Sequence, residues 1–330
     1  MNNDFTTYAD ISEHVKVLKK EFGKTGLKNV YLTACGGSLG GLAPMYEIIN
    51  SEAKTINASL ITAGDFMTAT PKQVRSDALV ITMSASGNTP ETVAAAKKAR
   101  ELGAKVVTLS RLYGSPLQTE GDYHICYGFR TCKYSETSTA MLMYFAFELL
   151  KEFEGYEHYN DAMASFDILD EVCDKAFEDS KAPAQKFAEK NKDVEQIYTL
   201  GSGNSKMVAY TTCICHFMEM EWMHAGYSHS GEFFHGPFEV AQPDIPYMLL
   251  KNIGPTRSID KRAEAFLEKH TDNLAVVDAK EYGVERFAPS VAHFFNTIVL
   301  AIVARQYTET LAVAKQHPFC FRRYMFKVEY

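Results

Sequence analysis

Two short stretches of this sequence carry residue types whose spacing could do chemistry. The first is HSGEFFHGPFE, residues 229–239, where two histidines and two glutamates stand among three phenylalanines and two glycines. Gly236-Pro237 excludes an ordinary helix interior, so His235 and Glu232 are expected on a rigid, half-buried turn. A histidine aimed by such a turn suits proton transfer, because its pKa lies nearest neutrality. On the residues alone, a core histidine bonded to a carbonyl remains the alternative.

The second stretch is SASGNTPET, residues 84–92. A β-rich run ends here, Gly87 permits a tight turn, Thr89 can cap, and Pro90 suits the first helical position. A helix N-terminus offers unpaired N–H groups and a partial positive charge, which together draw an anion. Ser84, Ser86, Asn88 and Thr89 ring that point with neutral donors, the pattern expected of a phosphate-ester site. The Gly-Lys-Ser/Thr of a nucleotide P-loop is absent. CGGSLGG (35–41) brings another glycine-rich turn and Ser38 to the same sheet edge, without the G-x-G-x-x-G spacing of a dinucleotide fold. A well-capped helix whose hydroxyls serve only the backbone is the alternative reading.

These residues need strands and helices to position them. NVYLTAC (29–35), ALVITMSAS (78–86), KVVTLS (105–110) and the weaker YHICY (123–127) read as short, nearly continuous apolar strands. With helices such as PETVAAAKKARELG (90–103) between them, they predict a parallel sheet covered on both faces. The scheme then recurs at a constant spacing of 167 residues: QIYTLGSGNS begins at 196 against 29, and YMLLKNIGPT at 247 against 80. LAVVDA (274–279) stands where KVVTLS stood. The expectation is an internal duplication, two doubly wound, flavodoxin-like α/β domains. Their boundaries are set at 12–155 and 193–330, with a charged helical connector at 156–192. The second copy keeps a glycine and threonine in NIGPTRSID but has lost the serines, so one phosphate site per chain is expected.

The whole chain narrows the function classes. At 330 residues, 46% hydrophobic and 23% charged, it is long enough for two cores and too apolar for extensive disorder. A formal net charge of −7 with no basic run argues against a nucleic-acid partner. No secretory signal is expected in MNNDFTTYAD, and NTIVLAIVARQY is too short to span a bilayer. Seven cysteines, an odd number, fit reduced thiols and a cytoplasmic location. CICH (213–216) matches no zinc spacing, and no metal or organic cofactor is expected.

Through CGGS, SASGNTPET and FMEMEWMHA…GEFFHGPFE, the sequence resembles the sugar isomerase (SIS) domain proteins. From about residue 12 to the C-terminus it has the two-copy arrangement of the isomerase half of glucosamine-6-phosphate synthase. FMEMEWMHA (217–225), GEFFHGPFE (231–239) and the tail HPFCFRRYMFKVEY (317–330) are most similar to the fructosamine-6-phosphate deglycases. The resemblance implies hydrolysis of a fructose-amine 6-phosphate to glucose 6-phosphate and a free amine. It makes Glu219, sixteen residues before His235, the base that moves a proton between C1 and C2, and His235 the acid at the sugar oxygens. In the synthase relatives that histidine reaches a neighbouring subunit's site, so at least a homodimer is implied. Lys327 matches a lysine near the terminus that closes over the sugar, with Arg322 and Arg323 nearby to meet phosphate or carboxylate; a packed C-terminal segment with solvated charges is the alternative. An amino-sugar-phosphate isomerase or deaminase, or a non-catalytic sugar-phosphate sensor, are the competing functions.

The chemistry fits those residue types. Water does not cut the C–N bond of a ketose-amine directly; a C1-to-C2 proton shift first converts it to an imine. That shift needs a base at carbon and a donor at oxygen. Glu219, flanked by methionines with Trp222 one turn on, is expected in apolar surroundings that would lift its pKa; on the residues alone, a carboxylate paired with an Arg or Lys on a helix surface is the alternative. Glu221 is expected to be the surface carboxylate. Phe233 and Phe234 are expected to exclude water from His235, and Glu232 to orient a histidine or meet the substrate's amine.

Overall fold

The computed structural model describes residues 5–23, 25–128, 133–325 and 327–329, and the chain divides into two compact units, Met1–Phe166 and Asp167–Tyr330. Cys132 lies outside the described residues.

In the first unit, strands β1 (Asn29–Ala34), β2 (Asn57–Thr62), β3 (Ala78–Met83), β4 (Lys105–Ser110) and β5 (Tyr123–Cys126) form one parallel sheet in the order β2-β1-β3-β4-β5. The three inner strands are buried almost throughout, hence their unbroken apolar runs. Helices α1 (Tyr8–Glu21), α2 (Gly36–Glu52) and α6 (Ser138–Glu154) pack together as one layer, and α3 (Ala63–Thr68), α4 (Pro90–Glu101) and α5 (Pro116–Thr119) form the other. On α4 the buried face is Thr92, Ala95, Ala96 and Ala99, a helical period of small side chains that lets the helix lie close on Tyr31, Val80 and Val106.

Helices α7 (Tyr159–Asp167) and α8 (Leu169–Asn191) occupy the stretch expected as a connector. The division falls at Phe166/Asp167, and α8 belongs to the second unit, where it packs along α11 (Asn296–Ala314). That last helix contains the apolar NTIVLAIVARQY run, which is a core element. Among the described residues no helix is long and apolar enough to cross a membrane.

The second sheet contains β6 (Gln196–Gly201), β7 (His224–His229), β8 (Tyr247–Lys251) and β9 (Leu274–Asp278), all parallel, in the order β7-β6-β8-β9. Strands β1 and β2 start at 29 and 57, and β6 and β7 at 196 and 224, so the spacing of 167 holds for a strand pair that the sequence pattern did not single out. The arrangement is that of two tandem SIS-type domains. Between β6 and β7 run α9 (Lys206–Thr211) and a π-helix, Thr212–Met220; α10 (Arg257–His270) follows β8. In the first copy, β2 leads into α3; at the corresponding place in the second, β7 leads into the His235 turn.

Candidate active site

In each sheet the strand order reverses next to the first strand, between β1 and β3 and between β6 and β8. Ligands of open parallel sheets bind beyond the carboxyl ends of strands at such a switch point. In the first unit two helices start there. Helix α4 follows β3, with Pro90 in its first turn, and its cap residue Thr89 makes no side-chain bond to the helix. Its hydroxyl pairs instead with Ser84 Oγ at 2.8 Å. Helix α2 follows β1 from Cys35, again without a side-chain cap. Both N-termini therefore keep amide groups that no cap side chain has taken.

The hook between β3 and α4 is tightly built. The Gly87 N–H donates to the Ser84 carbonyl at 3.0 Å and to its Oγ at 3.1 Å, and the Asn88 N–H donates to Ser86 Oγ at 3.2 Å. Gly87 has φ +70°, and a Cβ there would stand 2.3 Å from both the Cβ and Oγ of Ser115. Ser115 in turn meets Ser110 Oγ (3.2 Å), which meets His124 Nε2 (3.2 Å). Burial lowers the His124 pKa to about 4, so this support stays uncharged at neutral pH. Arg111, whose Nε donates to the Ala85 carbonyl at 3.1 Å, brings a positive charge to the hook that the motif reading did not include. Ser38 sits in the first turn of α2, its N–H donating to the Cys35 carbonyl at 3.1 Å.

At the matching place the second copy supplies a carboxyl group of its own. Asp260, in the first turn of α10 and fully buried, accepts the Asn252 N–H (3.1 Å) and Nδ2 (2.6 Å). Burial raises its pKa, and hydrogen bonds from Ser230 and Ser202 act against that rise. Lys251, the counterpart of Ser84, is tied to Glu264 (2.6 Å) and Asp278 (3.2 Å). A carboxylate thus stands where the first copy presents hydroxyls and open amide groups.

Glu219 lies near the end of the π-helix, and its surroundings correct the expectation. It is not sheltered among methionines: Met218 is exposed, and Glu219 Oε1 accepts the Nε–H of Arg322 at 2.7 Å, with side-chain exposures of 23% and 15%. Its neighbour Glu221, expected on the surface, is 3% exposed, and neither of its oxygens has a hydrogen-bond partner among the described residues. Burial raises the Glu221 pKa to about 7, with Lys315 opposing. The reversal has a backbone cause. The Glu221 N–H bonds back five residues, to His216, so the helix carries an extra residue per turn, and faces assigned on a 3.6-residue period no longer apply. Trp222 then adopts φ +58° and ends the helix, rather than standing one turn along it.

Glu221 makes stability pH-dependent. Below about pH 4.5 its carboxyl is protonated both folded and unfolded; as pH rises towards 7 the unfolded chain releases that proton first, and stability is lost. Glu221→Gln is therefore expected to stabilise the protein at pH 8 by about 1–3 kcal/mol and to change little at pH 4. Thermal melts of both proteins at the two pH values check this; an equal shift at both would rule it out.

The turn carrying His235 is as rigid as its residues suggest, but it faces outward. The N–H groups of Glu232 and Phe233 both donate to the His229 carbonyl (2.9 Å), and that of His235 to the Glu232 carbonyl (2.9 Å). Gly236, at φ +135°, makes a conformation only glycine takes easily. Phe233 is buried against Tyr247 and Phe266, and Phe234 and Phe238 pack on the same cluster. These rings anchor the turn to the core; His235 and Glu232 themselves are exposed, not half-buried. Glu219 precedes β7 and His235 follows it, so the six-residue strand, about 20 Å long, lies between them in the chain. Among the described residues no hydrogen bond joins the two.

The C-terminal segment closes round the Glu219 end. His317 and Phe321 contact the Trp222 ring (4.6 and 5.3 Å between centroids), and the Arg323 guanidinium lies 4.3 Å from its centre. Lys327 is exposed, its Nζ 4.2 Å from the centre of the Phe321 ring. Cys213, Cys215 and His216 build no metal centre: among the described residues no group of three or more His, Cys, Asp or Glu side chains is placed to hold one.

Residues 26–150 match the SIS domain family. The chain is 35% identical over 323 residues to the fructosamine deglycase FrlB of Bacillus subtilis (strain 168), covering 98% of each protein. It is 24% identical to the fructoselysine 6-phosphate deglycase of Escherichia coli O157:H7, over 80% of this chain and 77% of that one. A crystal structure from Bacillus subtilis, described as that of a phosphosugar isomerase, superposes with a TM-score of 0.94 at 34% identity, covering 98% of this chain and 99% of the other.

Proposed function

The chain belongs to the fructosamine deglycase family of SIS-domain proteins, and from that premise we propose that it hydrolyses a 6-phosphorylated fructosamine to glucose 6-phosphate and the free amine. The observation that carries the site assignment is the first unit's hook: hydroxyls and unclaimed amide groups converge at a switch point that the second copy fills with Asp260. Ser84, Ser86, Gly87, Asn88 and Thr89, with Ser38, are assigned the 6-phosphate.

Glu219 is assigned the C1 proton. Its removal, with protonation of O2, gives an enolamine; returning a proton to C2 gives an aldose imine. Water adds to C1 of the imine, the nitrogen takes a proton, and the C–N bond breaks to release amine and glucose 6-phosphate. The sum is substrate plus one water, with no redox step. His235 is assigned the acid at the sugar oxygens. The strand between Glu219 and His235 and the outward aim of the turn support a site that pairs one copy's Glu219 with a partner copy's His235, hence at least a dimer. Glu232 and Lys327, both exposed, are given secondary contacts with substrate.

The experiment is a coupled assay for glucose 6-phosphate with the Glu219→Gln and His235→Ala variants, alone and mixed. Each variant alone should be nearly inactive. Refolded as a mixture, they should regain up to about a quarter of wild-type activity, because half of the dimers pair the two variants and each such dimer holds one intact site. Inactive wild type would sink the deglycase reading; a mixture no better than its parts would sink the shared site.

A further inference from the structure

The deglycase reading leaves open which amine is accepted, and the contact made by Glu219 bears on it. The Arg322 guanidinium is set in place by its own turn: Nη1 donates to the carbonyls of Phe319 and Phe321 at 3.0 Å each, while Nε holds Glu219 at 2.7 Å. Arg323 on Trp222, with His317 and Phe321 against the same ring, fastens the segment beside the base. This cation is built into the site.

We infer that Arg322 determines specificity by binding the α-carboxylate of an amino acid attached to the sugar through its α-nitrogen. The inference rests on the deglycase reading, with Glu219 working at C1. In such an adduct the chain runs from C1 to nitrogen, to Cα, to carboxylate, so the carboxylate lies only three bonds from the carbon that Glu219 deprotonates. A cation one hydrogen bond from Glu219 therefore stands within reach of it. In an adduct of the lysine side-chain amine, four methylenes separate the carboxylate from that position. A guanidinium presents five N–H donors in a fixed fork; with Nε on Glu219 and Nη1 on its two carbonyls, the Nη2 amino group is the one left to meet the second carboxylate. The positive charge also offsets the approach of a substrate carboxylate to Glu219.

The test uses three phosphorylated adducts: fructosevaline 6-phosphate, its isobutylamine counterpart lacking the carboxylate, and Nε-fructoselysine 6-phosphate. Their kcat/KM values are compared in wild type, Arg322→Ala, Arg322→Gln and Arg322→Lys. Wild type should favour the valine adduct over the isobutylamine adduct by about tenfold to a hundredfold. Arg322→Ala and Arg322→Gln should erase that preference, chiefly through KM for the valine adduct, and Arg322→Lys should keep part of it. If Arg322 only positions Glu219, all three substrates fall by one factor and the preference survives, which overturns the inference. A wild type indifferent to the carboxylate, or favouring the lysine adduct, overturns it too while leaving the deglycase reading intact. No product from any adduct sinks that reading itself. Should Arg322→Ala fail to fold, the Arg322→Lys comparison decides.

Discussion

Replacing Glu219 by Gln is expected to lower kcat for glucose 6-phosphate release by about two to four orders of magnitude, with KM changing by a small factor. Gln keeps the size of the side chain and an oxygen for Arg322, but it cannot take the C1 proton. Glu221, the other carboxylate of FMEMEW, is buried and lacks a hydrogen-bond partner among the described residues. Glu221→Gln should therefore leave turnover within a few-fold of wild type while shifting stability. The paired variants separate catalysis from local structure two residues apart. If Glu219→Gln kept more than a tenth of wild-type kcat, the base would have to be sought elsewhere.

The second large effect is expected at Gly87. An alanine there must hold φ +70° and place a methyl 2.3 Å from Ser115, so the hook has to move. The left-handed conformation costs a non-glycine residue about 1–2 kcal/mol, and the collision adds displacement of the amide groups that begin α4. Gly87→Ala is expected to reduce kcat/KM by about a hundredfold, mostly through KM, since the phosphate holds the sugar in register in both ground and transition states. Gly103, at the far end of α4, has φ +86° with open space around it. Gly103→Ala carries the same backbone strain without the collision, so it should lower Tm and leave KM alone. Steady-state kinetics on both variants, with inhibition by inorganic phosphate as a second readout, check the assignment. A Gly87→Ala enzyme with unchanged KM would remove the phosphate from this loop.

Much of the fold was legible because the inner strands are buried on both faces, and burial on both faces writes itself as a continuous apolar run. Strand β4 coincides with KVVTLS, residue for residue. The two strands without such a run, NASLIT and HAGYSH, are the outer strands β2 and β7, each hydrogen-bonded on one side only; of the other two outer strands, β5 gives the weaker YHICY signal and β9 is placed through the repeat. An edge strand half in contact with solvent needs no apolar continuity, so pattern reading can pass over it.

The site divides along a similar line. What could be read along the chain is local: the glycine that must turn at 87, the hydroxyls around it, the Gly236-Pro237 that stiffens the His235 turn, and the loss of the serines from the repeat, which leaves one hook per chain. These follow from spacing, because each group acts on backbone within a few residues of itself. Tertiary structure decided what depends on partners far along the chain. It gave Glu219 a cation 103 residues away, buried Glu221 in its stead through the wider π-helical turn, turned His235 outward on an anchor of phenylalanines, and put Asp260 against the β8–α10 turn of the second copy. Charge pairing and burial are set by what packs against a side chain, and that is fixed only when segments distant in sequence come together.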